Sequence, residues 1–378
     1  SITTTDDKEA SGGSETIEGN AKSDVIIGGV SGDTLYGDAD MQGGHDESDL
    51  ILGDNGLLDF AYESDTNQET LDLVRSYTDG LGGADTISGD VGGDLILGGF
   101  EGDTIYGDNA TADAEAADGD DIVLGDNGDV LLTGFVGART VLGTAVERIL
   151  TTDEEEATGG ADLVEGNAGS DIIIGGVNNT GGFNGDGIDY LYGDARNPVS
   201  NLDGNDIILG DNGLLDYGVT GNLNDLDLIE TTARSAGGVV LGGVDHIFGN
   251  AGADTAFGGS DGDRIFGDND ESIDLSGIAD LFGTDSGEDI LVGDQGKVVR
   301  ENDIVTLIET TDFADFDGGE SENAEGGSDT IQGNDFDDII LGGVDGDILL
   351  GVSELLRGRG VGVLVTDAGD GVMIGGGG

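Results

Sequence analysis

The chain has no cysteine, no tryptophan, a single proline, two histidines and only twelve lysines and arginines in 378 residues. Each scarcity closes a class of explanation. Without cysteine there is no disulfide to staple a small core and no thiolate to hold a soft metal. Twelve basic residues among 81 acidic ones leave no cationic face to meet phosphates, so nucleic acid is excluded as a partner. No apolar run approaches the length that spans a bilayer as a helix. The histidines, His45 and His246, lack metal-protease spacing and read as surface residues in or beside turns. The absence of tryptophan, with only 11 Phe and 7 Tyr, leaves little bulk for a wide core.

What the chain has instead is 76 glycines and a formal net charge of −69. A polypeptide that acidic is expected to stay unfolded unless its charge is compensated. Full neutralisation would take about 35 divalent ions, roughly twice what the recognisable turns can offer by ligand spacing, so the folded protein is expected to remain acidic. Yet 36% of the residues are hydrophobic. High glycine, modest bulk and ample aliphatic content together suit a thin, repetitive β-solenoid better than a wide compact domain.

The repeat is plainest between Gly249 and Asp268. Asp245, Asp254 and Asp263 fall nine apart, as do Gly249, Gly258 and Gly267. Nine residues make about two and a half helical turns, so these aspartates cannot share a helix face. Short β-rich stretches bounded by glycine, such as Ile26-Ile27 and Ile96-Leu97, signal strands and turns. The apolar residue two after the aspartate (Ile26, Leu35, Ile87, Ile96, Ile105, Ile173, Ile265, Ile340) is expected to face inward and its neighbours outward. Glycine supplies positive φ in the turn and leaves carbonyls bare. Stacked coils would crowd their carboxylates together, an arrangement that a hard divalent cation with oxygen ligands relieves. Aspartate as a mere turn former is the bland alternative; repetition in register favours calcium.

This unit resembles the RTX repeat, the glycine- and aspartate-rich nonapeptide of the parallel β-roll. The best matches to Gly-Gly-x-Gly-x-Asp are Gly166–Asp171 and Gly249–Asp254. Other turns shift the second glycine by one, as in Gly98–Asp103 and Gly342–Asp347, and carry an acid where the family has glycine; Lys22 and Phe336 stand there in two more. The resemblance implies multiple calcium ions held by the motif aspartates and by backbone carbonyls of neighbouring turns. Carried over residue by residue, it assigns ligand roles to Asp24, Asp33, Asp85, Asp94, Asp103, Asp162, Asp171, Asp189, Asp245, Asp254, Asp263, Asp329, Asp338 and Asp347. Whether the shifted turns and the Lys22 turn use the family's ligands is left open by the sequence.

A longer period overlies the short one. A Gly-Asp-(Asn/Gln)-Gly turn begins at Gly53, Gly125, Gly210 and Gly293, each after an acid and three apolar residues. The array therefore reads as modules 1–72, 73–150, 151–232 and 233–311, a truncated fifth at 312–351, and a divergent tail at 352–378. After each such turn come an apolar stretch such as Leu57-Leu58 and a β-rich one such as Leu226–Thr232. These are read as paired strands flanking the roll, or as longer coils of it. Asp171 and Asp189 are 18 apart, which implies one extra turn or an outward loop. The tail, with Arg357 and Arg359, could cap the array or dock onto a neighbour.

A search for catalytic chemistry finds none. Gly258-Gly259-Ser260-Asp261-Gly262 has the form of a nucleophile elbow but sits inside a repeat turn, without the strand–turn–helix context. The expected fold is all-β, an elongated parallel β-roll or β-solenoid of tandem modules, roughly 70–85 residues each, with strand-rich insertions. The expected protein is not an enzyme. It is an extracellular or cell-surface structural protein, secreted by a bacterium or archaeon and folded by Ca2+. Solenoid ends expose strand edges, so end-to-end self-association into a fibre, surface layer or adhesin stalk is expected. The rival reading is the export and folding module of a larger secreted toxin, protease or lipase.

Overall fold

The computed structural model describes residues 1–4, 12–38, 47–62, 69–77, 80–109, 119–133, 140–141, 143–153, 158–178, 187–196, 204–232, 241–268, 287–311, 326–334, 338–343, 346–352, 363–365 and 372–374. Among them there are strands and turns and no α-helix, and hence no helix able to cross a membrane. The strands form three sheets, an 11-stranded and a 10-stranded parallel sheet and a 10-stranded antiparallel one.

The path through the first module sets the rule. Thr16–Glu18 lies in the 11-stranded sheet, Val25–Ile27 in the 10-stranded parallel sheet, Thr34–Tyr36 returns to the first and Leu50–Leu52 to the second. The chain then leaves the roll as a hairpin, Gly56–Asp59 and Leu73–Ser76, in the antiparallel sheet. It re-enters at Thr86–Ser88, which pairs in parallel with Thr34–Tyr36. The same order recurs through Ile304–Thr310. The segments between modules are therefore flanking paired strands and not longer coils.

Strand composition explains which layer each strand occupies. The 11-stranded sheet takes Thr-Leu-Tyr, Thr-Ile-Ser and Thr-Ile-Tyr, whose central residues Leu35, Ile87 and Ile105 are buried. The parallel 10-stranded sheet takes Leu-Ile-Leu, Ile-Val-Leu and Ile-Ile-Ile, buried along their whole length. It is the middle layer. Ile51, Ile96, Val123 and Ile173 pack with Leu35, Ile87 and Ile105 in one core. Their neighbours Leu50, Leu52, Leu95, Leu97 and Leu124 pack with Leu58, Val74, Val130 and Ile149 of the antiparallel sheet in a second core. The expectation that the residues beside each inward apolar side chain face out is met partly in the outer sheet, where Thr34 and Tyr36 are half-buried. In the middle sheet it fails, because a third layer covers them. Each extra leucine so buried contributes about 1.5–3 kcal/mol.

Parallel in-register stacking also aligns like side chains from coil to coil. Tyr192, Phe248 and Phe266 occupy one row of the outer sheet, with ring centroids 4.6 and 5.2 Å apart and the rings stacked nearly parallel. The long Asp171–Asp189 interval adds no coil. Leu163–Glu165 pairs directly with Ile188–Tyr192, and Ile172–Ile174 with Ile207–Leu209; residues 179–186 lie outside the described ones. In the tail, Val363–Val365 and Val372–Ile374 extend the middle and outer sheets in parallel register.

Candidate metal centres along the edges of the roll

Every strand of the roll from Val25–Ile27 to Ile348–Val352 follows or contains an aspartate, and the coils stack these aspartates into two ladders. Along the outer sheet the backbone N–H of Asp33 donates to Oδ1 of Asp85 (2.6 Å), Asp85 to Asp103 (2.7 Å), Asp103 to Asp162 (2.6 Å) and Asp162 to Asp189 (2.8 Å). Asp189 pairs in register with Asp245, and the ladder continues from Asp245 to Asp263, Asp329 and Asp347. Along the middle sheet it runs from Asp24 through Asp49, Asp94, Asp121, Asp171, Asp206, Asp254 and Asp289 to Asp338. All fourteen aspartates singled out from the sequence stand on one ladder or the other.

Four ladder members escaped the sequence reading: Asp49, Asp121, Asp206 and Asp289. The signal was present, since each begins an Asp-x-x-x-Gly stretch, as the motif aspartates do. Insertions upstream break their nine-residue spacing, so they registered only as markers of the long period.

Each ladder aspartate after Asp24 accepts an N–H through Oδ1, and each turns Oδ2 toward a glycine of the preceding turn. A Cβ on Gly28 would collide with Oδ2 of Asp33 and the carbonyl oxygen of Gly53 in the next coil. Gly98 stands likewise against Asp103 and Gly125, Gly175 against Asp189 and Gly210, Gly193 against Asp206 and Gly249. Glycine is required there for close approach. The space a side chain would fill is where a carboxylate oxygen and a backbone carbonyl converge. Oδ2 of Asp33, Asp85, Asp94, Asp103, Asp162, Asp189, Asp206, Asp245 and Asp263 is buried without a hydrogen-bond donor, a costly condition for any polar atom.

The electrostatics follow from that burial. Desolvation pushes the Asp162 carboxyl up to about 7 and Asp85 to about 8. Burial also drives Asp103, Asp206 and Asp263 well above the usual carboxylate range, and the carboxylates of adjacent coils raise them further. Among the described residues no three acidic or histidine side chains converge on one point. A cradle therefore offers one carboxylate oxygen and main-chain carbonyls, an all-oxygen hard donor set that fits calcium and not zinc or copper.

The two edges share one turn form, with left-handed residues second and fourth, and differ in which of the two takes the wider φ that glycine supplies; that difference places the glycine. Turns running from outer to middle sheet place left-handed residues second and fourth: Asn20 and Lys22, Asp90 and Gly92, Asn167 and Gly169, Asn250 and Gly252. Turns running back place them second and fourth from a Gly-Gly start: Gly29 and Ser31, Gly99 and Glu101, Gly259 and Asp261. The acids Glu101 and Asp261 of these turns thus occupy a left-handed position, and Asp345 lies outside the described residues. Lys22 sits at φ 87° where Gly92, Gly169 and Gly252 take 125–137°. Asp24 nonetheless joins the ladder, and Gly19 faces its Oδ2 and the Gly37 carbonyl. The Phe336 turn lies outside the described residues.

A further carboxylate set opens each hairpin. Asp54 accepts N–H groups of Gly83 (3.1 Å) and Phe100 (2.6 Å), Asp126 those of Gly160 and Val177, Asp211 those of Gly243 and Ser260. These clamp the turns of the next coil to the exit of the hairpin; burial raises Asp54 to about 10. Ser260 is buried, with its N–H on Asp211 and its hydroxyl receiving Gln295 Nε2 at 3.2 Å. His246 is not a surface residue. It is buried in the outer sheet with its ring edge-on to Tyr190, centroids 5.0 Å apart, because its position faces the stacked row of neighbouring coils. His45 lies outside the described residues.

Fold and cradles together define a parallel β-roll whose turns present repeated oxygen sites. The family model for the RTX calcium-binding nonapeptide repeat matches four stretches, residues 9–40, 156–179, 241–272 and 323–352. The chain therefore carries RTX calcium-binding repeats along its length. Asp85, Asp94, Asp103 and Asp189 lie outside the matched stretches yet stand on the same ladders. No curated protein matches the chain.

Proposed function

We propose that the protein is a secreted, non-catalytic structural element that calcium folds and stiffens, and that folded copies associate end to end. The observation that carries the metal assignment is the row of buried, donorless Oδ2 atoms, each facing a glycine carbonyl of the next coil. In this reading the fourteen motif aspartates, with Asp49, Asp121, Asp206 and Asp289, hold the ions through Oδ2. The bound ion supplies charge compensation and no reaction. Ion binding then coincides with folding, because the donors come from adjacent coils and do not meet in an unfolded chain. Millimolar calcium outside a cell suits extracellular modules of this kind. End-to-end association draws support from the terminal strands of the outer sheet, Thr16–Glu18 and Val372–Ile374, each paired on one side only among the described residues, and from Val25, exposed on the first middle strand.

A calcium titration followed by circular dichroism and light scattering tests both parts. The β-signal should appear between about 0.1 and 1 mM calcium and revert with chelator, with scattering rising in step. Folding without scattering would support the export-module reading in place of the fibre. A chain fully folded in chelator at neutral pH would refute the role given to calcium.

A further inference from the structure

Among the described residues the antiparallel sheet ends on an unfinished junction. Inside the chain, consecutive hairpins join three times through one contact. The glycine opening the later hairpin donates its N–H to a buried hydroxyl of the earlier one: Gly128 to Ser76 Oγ (2.9 Å), Gly213 to Thr151 Oγ1 (2.9 Å), Gly296 to Thr231 Oγ1 (2.8 Å). The apolar residue two further on then pairs with one two before the hydroxyl, as Leu215 with Ile149 and Val298 with Ile229. Both are buried in every such pair.

The strand Ile304–Thr310 carries the same elements, Ile308, Glu309 and Thr310, on the last hairpin. Its near side pairs with Gly296–Glu301. Among the described residues no strand covers its far side, and the sheet ends there. Thr310, the counterpart of buried Thr151 and Thr231, is exposed. So are Ile304, Val305 and Leu307, at 67, 36 and 39%. Thr311 N–H bonds inward to Gln295 (2.8 Å); since successive N–H groups alternate along a strand, those of Thr310 and Ile308 point to the open edge. The middle sheet meanwhile runs one strand further, to Val363–Val365, than the antiparallel sheet that should lie against it.

We propose that this edge captures a single extended peptide segment of a partner protein by strand addition. The internal junctions specify its chemistry: antiparallel, glycine against Thr310, an apolar residue against Ile308, and a lysine between them. Lysine continues the alternation of charge along this row: Lys297 lies in register between Glu230 and Glu309, its Nζ bonds Glu309 Oε1 at 2.5 Å, and the open side of Glu309 is the next place in the row. The antiparallel sheet of a second copy fits this edge poorly, since its outermost glycine strand, Gly56–Asp59, is already covered by Ile2–Thr3 and the others are internal; the end-to-end association proposed above would run through the two parallel sheets. The inference does not depend on calcium except through folding.

The probe is a fluorescein-labelled peptide copying residues 294–301, Asp-Gln-Gly-Lys-Val-Val-Arg-Glu, titrated with the calcium-saturated full chain and read by anisotropy. Binding should saturate. Thr310→Pro, which removes the outward N–H and the hydroxyl but no in-sheet bond, should weaken it about tenfold or more. Glu309→Lys should weaken it as well, and a peptide with glutamate in place of its lysine should restore it. Dichroism on the same samples reports folding. A folded chain that ignores the peptide overturns the inference and leaves the calcium reading standing. Binding indifferent to Thr310→Pro and to charge reversal, or self-association through this edge that the peptide does not compete away, overturns it too.

Discussion

Replacing Asp162 by asparagine should stabilise the protein in chelator and destabilise it in calcium. Asp162 is buried, and its Oδ1 accepts the Asp103 N–H at 2.6 Å. Oδ2 has no donor and lies against Gly125, where the carbonyl of Gly175 also arrives. Asparagine keeps the shape and the Oδ1 acceptor, and it places an N–H2 donor toward that carbonyl. Without metal at pH 8, the displacement of this carboxyl from 3.8 to about 7 corresponds to about 4 kcal/mol opposing the ionised folded state. The amide does not ionise. After its own desolvation a net gain of about 1–3 kcal/mol should remain. With calcium the sign reverses, because the substitution deletes a charged ligand and turns a donor toward the cation. Thermal melts by circular dichroism in chelator and in calcium provide the assay, with the calcium midpoint of folding as a second readout. A variant that shifts the same way in both media refutes the cradle assignment, because the carboxylate would then owe its position to the fold alone.

Acid should replace calcium in part. Asp85 and Asp162 have folded values raised from 3.8 to about 8 and about 7. A raised carboxyl favours the folded state fully below 3.8, loses that advantage as pH climbs, and retains none above the folded value. In chelator the β-signal should therefore be larger at pH 4 than at pH 8; in calcium, acid should weaken the fold through competition for the carboxylates. Gly98→Ala should cost at least about 3 kcal/mol, since its Cβ meets Asp103 Oδ2 and the Gly125 carbonyl. Gly221→Ala, left-handed at φ 78° but with nothing within 4 Å, should cost only about 1 kcal/mol in the same denaturation assay. Lys22→Gly should raise the thermal midpoint by removing about 1 kcal/mol of left-handed strain; its exposed ion pair with Glu47 at 3.9 Å offsets little.

The roll and its aspartates were legible because both follow from local spacing: a strand of three, a turn of six, an acid where the strand begins. The third layer was written less openly. Leu-Ile-Leu and Thr-Leu-Tyr share the central inward residue, and only the flanking pair distinguishes a strand covered on both faces from one covered on a single face. That distinction needs the antiparallel hairpins, whose place depends on pairings across 50 residues or more, such as Gly128 with Ser76. The edge-specific turns were hidden for a different reason. A shifted glycine looks like a degenerate motif until the direction of each turn is known, and direction is a property of the coil. Asp54, Asp126 and Asp211 were invisible as clamps because their partners are backbone N–H groups of the next coil, which have no sequence signature.

Insertions of unequal length between outer and middle strands leave the ladders unbroken, and the geometry accounts for that. The link across each insertion is not the inserted chain but the cradle at its two ends. Gly37 meets Asp49, Gly107 meets Asp121, Gly193 meets Asp206 and Gly267 meets Asp289, each beside a carbonyl from the next coil. The hairpins obey the same constraint, with Gly53 against Asp85 and Gly125 against Asp162. Coil pitch is the strand spacing of the parallel sheets, about 4.8 Å, and the glycine–aspartate contacts keep it where an insertion interrupts the path. An ion in each cradle would bind the two ends of a loop to one point, so the loop-closure entropy of a longer insertion is offset where it arises, and that entropy grows only slowly with length. A calcium-folded roll can therefore accept large inserted segments that a roll held by side-chain packing alone would have to close unaided.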